Sequence, residues 1–324
     1  MMTVSNPSSS EPKFLTVQAS WMDHARDLLQ MVNQFRSEMP APIVGIGHSF
    51  GANVLVNLSL MHPRLLSTLV LLDPVIQEYA STPSGPNPVQ LSTFRRDFWR
   101  SREEAEELMR KQKYYQSWDP RVLDRWLQFG LRDTPSPLYP DQKGVTLTTT
   151  KHQECFTFMR PSWEGLSEDG KTIINRDLVP DICLENPITH PLYRPEPPNT
   201  LARLGELRPS VLYLFGETSD MSPLLFRKQK MDTTGMGVGG SGGAKEGKVK
   251  EILMKGLGHL LAMEAPAQCA EEAGNWLGRE VQRLAKERES YQEWTKRSLA
   301  SKSTMSDEWK KRIGGPLRLP KGKL

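Results

Sequence analysis

Residues 43–58 read Ile-Val-Gly-Ile-Gly-His-Ser-Phe-Gly-Ala-Asn-Val-Leu-Val-Asn-Leu. A short apolar run leads into Gly47-His48-Ser49-Phe50-Gly51, and a helical pattern of apolar residues follows it. A G-x-S-x-G motif between a strand and a helix places its serine on a sharp turn, with the hydroxyl exposed above the helix N-terminus. The sequence therefore predicts that Ser49 is a nucleophile.

The segments on either side of this motif alternate between strands and helices. Ser20 and Asp23 have the spacing of a capping box, and apolar residues follow at helical spacing to about residue 36. Apolar runs predict buried strands at residues 43–46, 69–72, 210–215 and 248–254. Buried strands that alternate with helices are typical of a parallel sheet covered by helices on both faces, so we predict an α/β fold.

Residues 75–208 have a different character, because proline is dense there and tryptophan and tyrosine recur. Ser101 and Asp119 each have the position of a helix N-cap, and residues 145–150 could form a short strand. About 130 residues is too long for a loop, so we expect a helical cap or lid inserted over the sheet. The predicted organisation is a disordered or remnant N-terminus (1–19), a core (20–74 and 209–285), the cap (75–208), and a basic C-terminal helix and tail (286–324).

Composition narrows the function classes. Of the 324 residues, 37% are hydrophobic and 25% charged, which permits a folded core. No apolar run approaches the roughly 20 residues of a membrane-spanning helix. The three cysteines form no spaced pair, which favours a reduced compartment. No two histidines have ligand spacing, so we expect no metal and no other cofactor.

The positive charge is concentrated at one end of the chain. Residues 285–324 contain 11 Lys/Arg and 5 Asp/Glu, a net +6 against +4 for the whole chain, which leaves −2 for the rest. A basic tail is usually a solvated surface, so we do not expect nucleic acid as a partner.

Serine is a poor nucleophile at neutral pH and needs a base that is itself oriented by an acid. His259 follows the last predicted strand and is the expected base. Asp220 is the expected acid, with Glu217 in the same loop as an alternative, and both follow the strand before. Asp73 is a third candidate, although the proline after it suggests a turn instead. All these positions follow strands at the edge where parallel sheets place their sites.

Other residues are weaker candidates for contact with a substrate. His48 fits a packed neighbour of the serine turn better than a base, and it is also a candidate substrate contact. His152 and Trp163 could reach a substrate from the cap. Tyr139 and Phe156 would suit an apolar acyl pocket, although aromatic residues more often simply pack.

Four segments resemble those of α/β-hydrolases over about residues 20–285: Gly-His-Ser-Phe-Gly, Leu-Leu-Asp-Pro, Leu-Phe-Gly-Glu-Thr-Ser-Asp and Gly-Leu-Gly-His-Leu. Residues 42–49 and 57–65 are similar to fungal hydrolases of the peroxisomal, host-toxin-biosynthesis type. The resemblance implies a serine hydrolase that cleaves a small-molecule ester or thioester, such as an acyl-CoA-like compound, through an acyl-enzyme. It also implies the backbone N–H of Phe50 as one oxyanion donor.

The chain departs from this family before the motif. In α/β-hydrolases, a loop after an earlier strand supplies the second oxyanion donor. Only residues 14–17 could form such a strand here, and no His-Gly pair precedes Gly47. We therefore expect a family member that is short at its N-terminus. The alternative function is a catalytically impaired or non-catalytic hydrolase-fold protein that lacks part of its oxyanion site.

The last three residues, Gly322-Lys323-Leu324, resemble the S-K-L peroxisomal address, with glycine in place of serine. This ending predicts a peroxisomal location and a peroxisomal import receptor as a partner. The alternative location is the cytoplasm.

Overall fold

The computed structural model describes residues 20–79, 88–185 and 190–316. Residues 14–17 and 322–324, on which two predictions rest, lie outside the described residues. The chain divides between Gly274 and Asn275 into two compact units, and the sheet, the cap and the Ser49 motif belong to the first. The division falls inside one long helix, earlier in the chain than the predicted boundary at 285/286.

The described elements, in chain order, begin and end as follows. The strands are β1 (Ile43–His48), β2 (Leu66–Leu72), β3 (Phe98–Trp99), β4 (Leu131–Asp133), β5 (Val145–Leu147), β6 (Arg160–Pro161), β7 (Leu192–Tyr193), β8 (Ser210–Gly216) and β9 (Val249–Met254). The helices are α1 (Trp21–Gln34), α2 (Phe50–Met61), α3 (Pro88–Phe94), α4 (Arg102–Lys111), α5 (Lys113–Gln116), α6 (Pro120–Phe129), α7 (Lys151–Phe158), α8 (Glu196–Arg203), α9 (Leu224–Thr233), α10 (Leu261–Glu264), α11 (Pro266–Thr295), α12 (Leu299–Ser303) and α13 (Asp307–Ile313). Short 3-10 helices cover Arg176–Leu178, Leu204–Glu206 and Gly243–Glu246.

The central sheet has the strand order β1-β2-β8-β9, and all its neighbours are parallel. Every residue of β8 is buried, as its unbroken apolar sequence predicts. Helices α1, α2, α8 and α9 contribute side chains to the same apolar core as the sheet. The predicted fold, a parallel sheet flanked by helices, is confirmed. Among the described residues, β1 pairs on one side only, and Ile46 on this edge strand is 58% exposed.

Helix starts lie where the polar cap residues predict them. The Ser20 side chain accepts a hydrogen bond from the first turn of α1, and the Asp23 carboxylate accepts one from the Ser20 backbone, so the capping box is present. The side chains of Ser101 and Asp119 cap α4 and α6 in the same way.

The cap between β2 and β8 is mixed, whereas the sequence suggested a mainly helical insertion. Besides α3–α7 it contains an antiparallel sheet of order β3-β5-β4 and the pair β6-β7. Residues Val145–Leu147 of β5 are all buried, because they form the middle strand of their small sheet.

An aromatic cluster of the cap packs on the loop that follows β9. Trp99, Tyr115 and Trp118 belong to a buried cluster against which Leu260 and Met263 are packed. The backbone N–H of Asp119 donates to the carbonyl oxygen of Met263 at 2.8 Å. The cap therefore braces the chain directly after His259.

Across residues 20–79, 88–185 and 190–316, no helix is both long and apolar enough to cross a membrane. The same part of the chain holds no cluster of three or more His, Cys, Asp or Glu side chains that could hold a metal ion.

Candidate active site

Ser49 occupies a sharp turn between β1 and α2, where its φ is 55°. Positive φ is uncommon for a residue with a Cβ and costs on the order of 1–3 kcal/mol. Two backbone hydrogen bonds hold the turn: Ser49 N–H donates to Leu72 O at 3.0 Å, and Val75 N–H donates to Ser49 O at 3.2 Å. The strained turn that the motif predicts is therefore built into the end of the sheet.

The two glycines of the motif have different roles. A Cβ on Gly47 would lie 2.8 Å from both the backbone nitrogen of Ala52 and the carbonyl oxygen of Gly51. A Cβ on Gly51 would meet nothing within 4 Å. Of the two motif glycines, only Gly47 is required by the close approach of β1 to α2.

We expect Gly47→Ala to reduce hydrolytic activity by at least about 10²-fold, since the backbone must shift beside Ser49 and a shift of 1 Å can cost that much. Gly51→Ala is the matched control and should keep activity within about threefold of the wild type. Parallel measurements of kcat and of the urea unfolding midpoint check both variants. Equal activity of the two alanine variants would contradict this account of the turn.

His259 links the serine to a buried carboxylate. It follows β9, its Nε2 lies 2.9 Å from Ser49 Oγ, and its Nδ1 lies 2.6 Å from Oδ2 of Asp73. Both distances fall within the hydrogen-bond range expected of a nucleophile, base and orienting acid. The His259 side chain is 24% exposed, so a substrate can reach the imidazole.

The structure does not bring the acids predicted from sequence to the His259 ring. Asp220 and Glu217 are both exposed, and neither appears among the hydrogen-bond partners of His259 in the described residues. The Glu217 carboxylate instead accepts a hydrogen bond from the backbone N–H of Gly256 at 2.8 Å. The carboxylate beside His259 Nδ1 is instead that of Asp73, the third candidate. Asp73 has a positive φ of 43°, which turns the chain at the end of β2.

The Asp73 carboxylate is completely buried and receives several hydrogen bonds. Besides His259, its donors are Ser219 Oγ and Ser222 Oγ, each at 2.5 Å, and the backbone N–H of Gly216 at 3.3 Å. The loop after β8 thus supports the acid through its two serines, and its own acidic residues do not reach the histidine. In the sequence, this support is visible as a pair of serines three residues apart.

These contacts keep Asp73 ionised. Burial disfavours the charged form, but the hydrogen bonds from His259, Ser219 and Ser222, together with the His259 charge, outweigh it and hold the pKa of Asp73 below its ordinary value of 3.8. A carboxylate of this kind can orient the His259 ring and stabilise the positive charge that the ring acquires on taking a proton.

The remaining candidates have different surroundings. His48 lies against His259, with the two ring centroids 5.0 Å apart. The backbone N–H of Phe50 is in the first turn of α2, where helix N–H groups have no partner within the helix and can bind an anion. His152 is exposed on α7 and Trp163 is 54% exposed, so their contact with a substrate stays a prediction.

A strained serine turn, a histidine and a buried aspartate at the carboxyl edge of a parallel sheet together define an α/β-hydrolase site. The profile of the Alpha/beta hydrolase family matches residues 5–272, and the chain belongs to that family.

Two relatives and one solved structure are similar to the chain. It is 38% identical, over 96% of its length and 76% of the relative's, to a type I acyl-CoA thioesterase, mpaH, of Penicillium brevicompactum. It is 29% identical to the abhydrolase domain-containing protein ACTT2-1 of Alternaria alternata, over 75% of this chain and 85% of that protein. The peroxisomal alpha-beta-hydrolase Lpx1 of Saccharomyces cerevisiae superposes with a TM-score of 0.57 at 15% identity, over 90% of this chain and 72% of that one. This last likeness shows the fold alone.

Proposed function

We propose that this chain is a serine hydrolase that cleaves acyl esters or thioesters through an acyl-enzyme on Ser49. The observation that carries the proposal is the continuous hydrogen-bonded path from Ser49 Oγ through the His259 ring to the Asp73 carboxylate, at 2.9 and 2.6 Å. Asp73 is the orienting acid in this proposal.

The first half-reaction transfers the acyl group to the enzyme. His259 Nε2 takes the proton of Ser49 as Oγ attacks the acyl carbonyl carbon, and Asp73 stabilises the resulting imidazolium. The backbone N–H of Phe50 donates to the oxyanion that forms. As the tetrahedral intermediate collapses, the bond to the leaving oxygen or sulfur breaks, and His259 returns the proton to the departing alcohol or thiol.

The second half-reaction frees the enzyme. Water gives a proton to His259 Nε2 and attacks the acyl-serine carbonyl carbon. Collapse of the second intermediate breaks the bond to Ser49 Oγ, which regains its proton from His259. The products are a carboxylic acid and the restored triad.

The relatives favour a thioester substrate. Three proteins from two Penicillium species, each 38% identical to this chain, are named type I acyl-CoA thioesterases. The acyl-CoA-like substrate predicted from sequence is therefore our first candidate, with a simple ester as the second.

A non-catalytic role is the alternative. It is favoured by the edge position of β1, which pairs on one side only among the described residues, because a neighbouring strand commonly carries the loop with the second oxyanion donor. Removal of one oxyanion donor costs about 10²–10³ in kcat in a protease where it has been measured.

Turnover of a thioester and an oxyester separates these functions. The purified chain is incubated with acyl-CoA thioesters of short and long acyl chains, and a disulfide reagent detects the thiol that is released. In a second assay, the chain is incubated with p-nitrophenyl esters. We expect hydrolysis of at least one class and none above background with Ser49→Ala. Equal rates for the wild type and Ser49→Ala on every substrate would favour the non-catalytic alternative.

Peroxisomal location stays a prediction that rests on residues 322–324. A fluorescent protein fused before Met1, compared with the same fusion carrying Leu324→Asp, tests whether these residues direct import. An even cytoplasmic distribution of the unmodified fusion would contradict the prediction.

A further inference from the structure

The residue before the nucleophile is bonded to the residue that carries the base. His48 Nε2 lies 2.7 Å from the backbone carbonyl oxygen of His259, while the His259 side chain lies 2.9 Å from Ser49 Oγ. Two neighbouring residues of β1 and its turn therefore hold His259 by its main chain and by its ring.

The first of these bonds fixes which nitrogen of His48 carries a proton. A carbonyl oxygen only accepts hydrogen bonds, so Nε2 of His48 must be the donor. A nitrogen that carries this proton cannot also accept one from Ser49. His48 is therefore unsuited to act as a second general base from Nε2.

The surroundings of His48 favour its neutral form. Burial, followed by the charge of His259, lowers the pKa of His48, while its bond to the His259 carbonyl and the charge of Asp73 oppose this change. His24 and Asp27 of α1 line the same cleft of about 450 Å³ beside β1. A neutral ring matters here, because the centroid of the His259 ring lies only 5.0 Å away and that ring becomes positively charged in the proposed reaction.

We propose that His48 is a positioning residue, whose Nε2–H holds the main chain of His259 so that the imidazole stays aligned with Ser49 Oγ. This inference rests on the proposed function, because the aligned pair is the proposed nucleophile and base. In this proposal, the positioning role takes the place of the substrate contact that the sequence suggested for His48. Loss of this bond removes the contact between the main chain of His259 and the residue that precedes the nucleophile, while the cap still braces the chain after His259.

Two variants separate the hydrogen bond from packing. His48→Gln keeps an N–H donor at nearly the same distance from the backbone, whereas His48→Leu keeps bulk without a donor. With p-nitrophenyl butyrate as the probe, we expect His48→Leu to lower kcat by about 10–100-fold with KM within about twofold, since small misplacements of catalytic groups have effects of this size. We expect His48→Gln to recover kcat to within about threefold of the wild type.

Three kinetic results would overturn the proposal. They are wild-type kcat in His48→Leu, equal losses in both variants, and a raised KM with unchanged kcat, which would instead indicate substrate contact.

A measurement without turnover separates this proposal from the proposed function. In ¹⁵N-labelled wild-type protein, long-range ¹H–¹⁵N correlation, assigned by comparison with His48→Gln, should show His48 protonated at Nε2 and not at Nδ1 at neutral pH. Protonation at Nδ1 alone would overturn the inference whether or not the chain is active. An inactive wild type with His48 protonated at Nε2 would contradict the proposed function and leave the His48 bond supported.

Discussion

Asp73→Asn is expected to lower kcat by about 10⁴-fold with little change in the fold. Asparagine fits the space, but its amide can present an N–H to His259 Nδ1 in place of a carboxylate oxygen. The histidine would then carry its proton on Nε2, where it cannot accept one from Ser49. In a serine protease, the corresponding replacement has an effect of this size. The hydrogen bonds that Asp73 accepts from Ser219 and Ser222 make the urea unfolding midpoint a necessary companion measurement.

Asp220→Asn is the matched control for this prediction. The same chemical change at an exposed aspartate after β8, the strand next to β2, should leave kcat within about threefold of the wild type. A large loss in Asp220→Asn with a small loss in Asp73→Asn would contradict the assignment of the acid. That reversed result would favour the acid first expected from the sequence.

His259→Gln is expected to lower kcat by about 10⁶-fold, the size of the loss found when the triad histidine of a serine protease is removed. Glutamine occupies a similar volume and can still hydrogen-bond, but it cannot take the Ser49 proton and return it to a leaving group. Steady-state rates at several enzyme concentrations, with trace wild-type contamination excluded by fresh columns, measure the loss.

His62→Gln provides the control for the histidine replacement. His62 is exposed at the end of α2, away from the polar path that joins Ser49 to Asp73. Its replacement should leave kcat unchanged within error. Activity of His259→Gln within tenfold of the wild type would show that another group acts as the base.

Much of the fold could be predicted from the sequence because its main signals are local ones. The unbroken apolar run of β8 and the Gly47–Gly51 motif after β1 each have one structural interpretation. The capping box at Ser20 likewise fixed the start of α1. These features depend on residues that are close together along the chain.

The acid that hydrogen-bonds His259 was harder to predict, because its identity depends on which loop turns a carboxylate toward the histidine. The proline after Asp73 suggested an ordinary turn, and Asp220 lies nearer to His259 in the chain. The deciding facts are the positive φ of Asp73 and the two serines that reach it from the loop after β8. Both are tertiary properties, which the spacing of acidic residues does not encode.

The bond from His48 to the His259 carbonyl joins segments 211 residues apart in sequence. The motif shows that His48 adjoins the nucleophile, but it gives no information about where the His259 loop returns to the sheet. Only the packing of that loop, braced from the cap through Asp119 and Met263, brings the two histidines together.

If Ser49 is an activated nucleophile, a reagent specific for such serines should form its covalent adduct there. The wild-type chain is treated with a fluorophosphonate, digested with trypsin and analysed by mass spectrometry. We expect one dominant adduct within peptide 37–64, with fragment ions that place it on Ser49 and not on Ser37 or Ser59. Neither Ser49→Ala nor His259→Gln should form this adduct. An unmodified Ser49, or equal labelling of the other serines, would show that Ser49 is not an activated nucleophile.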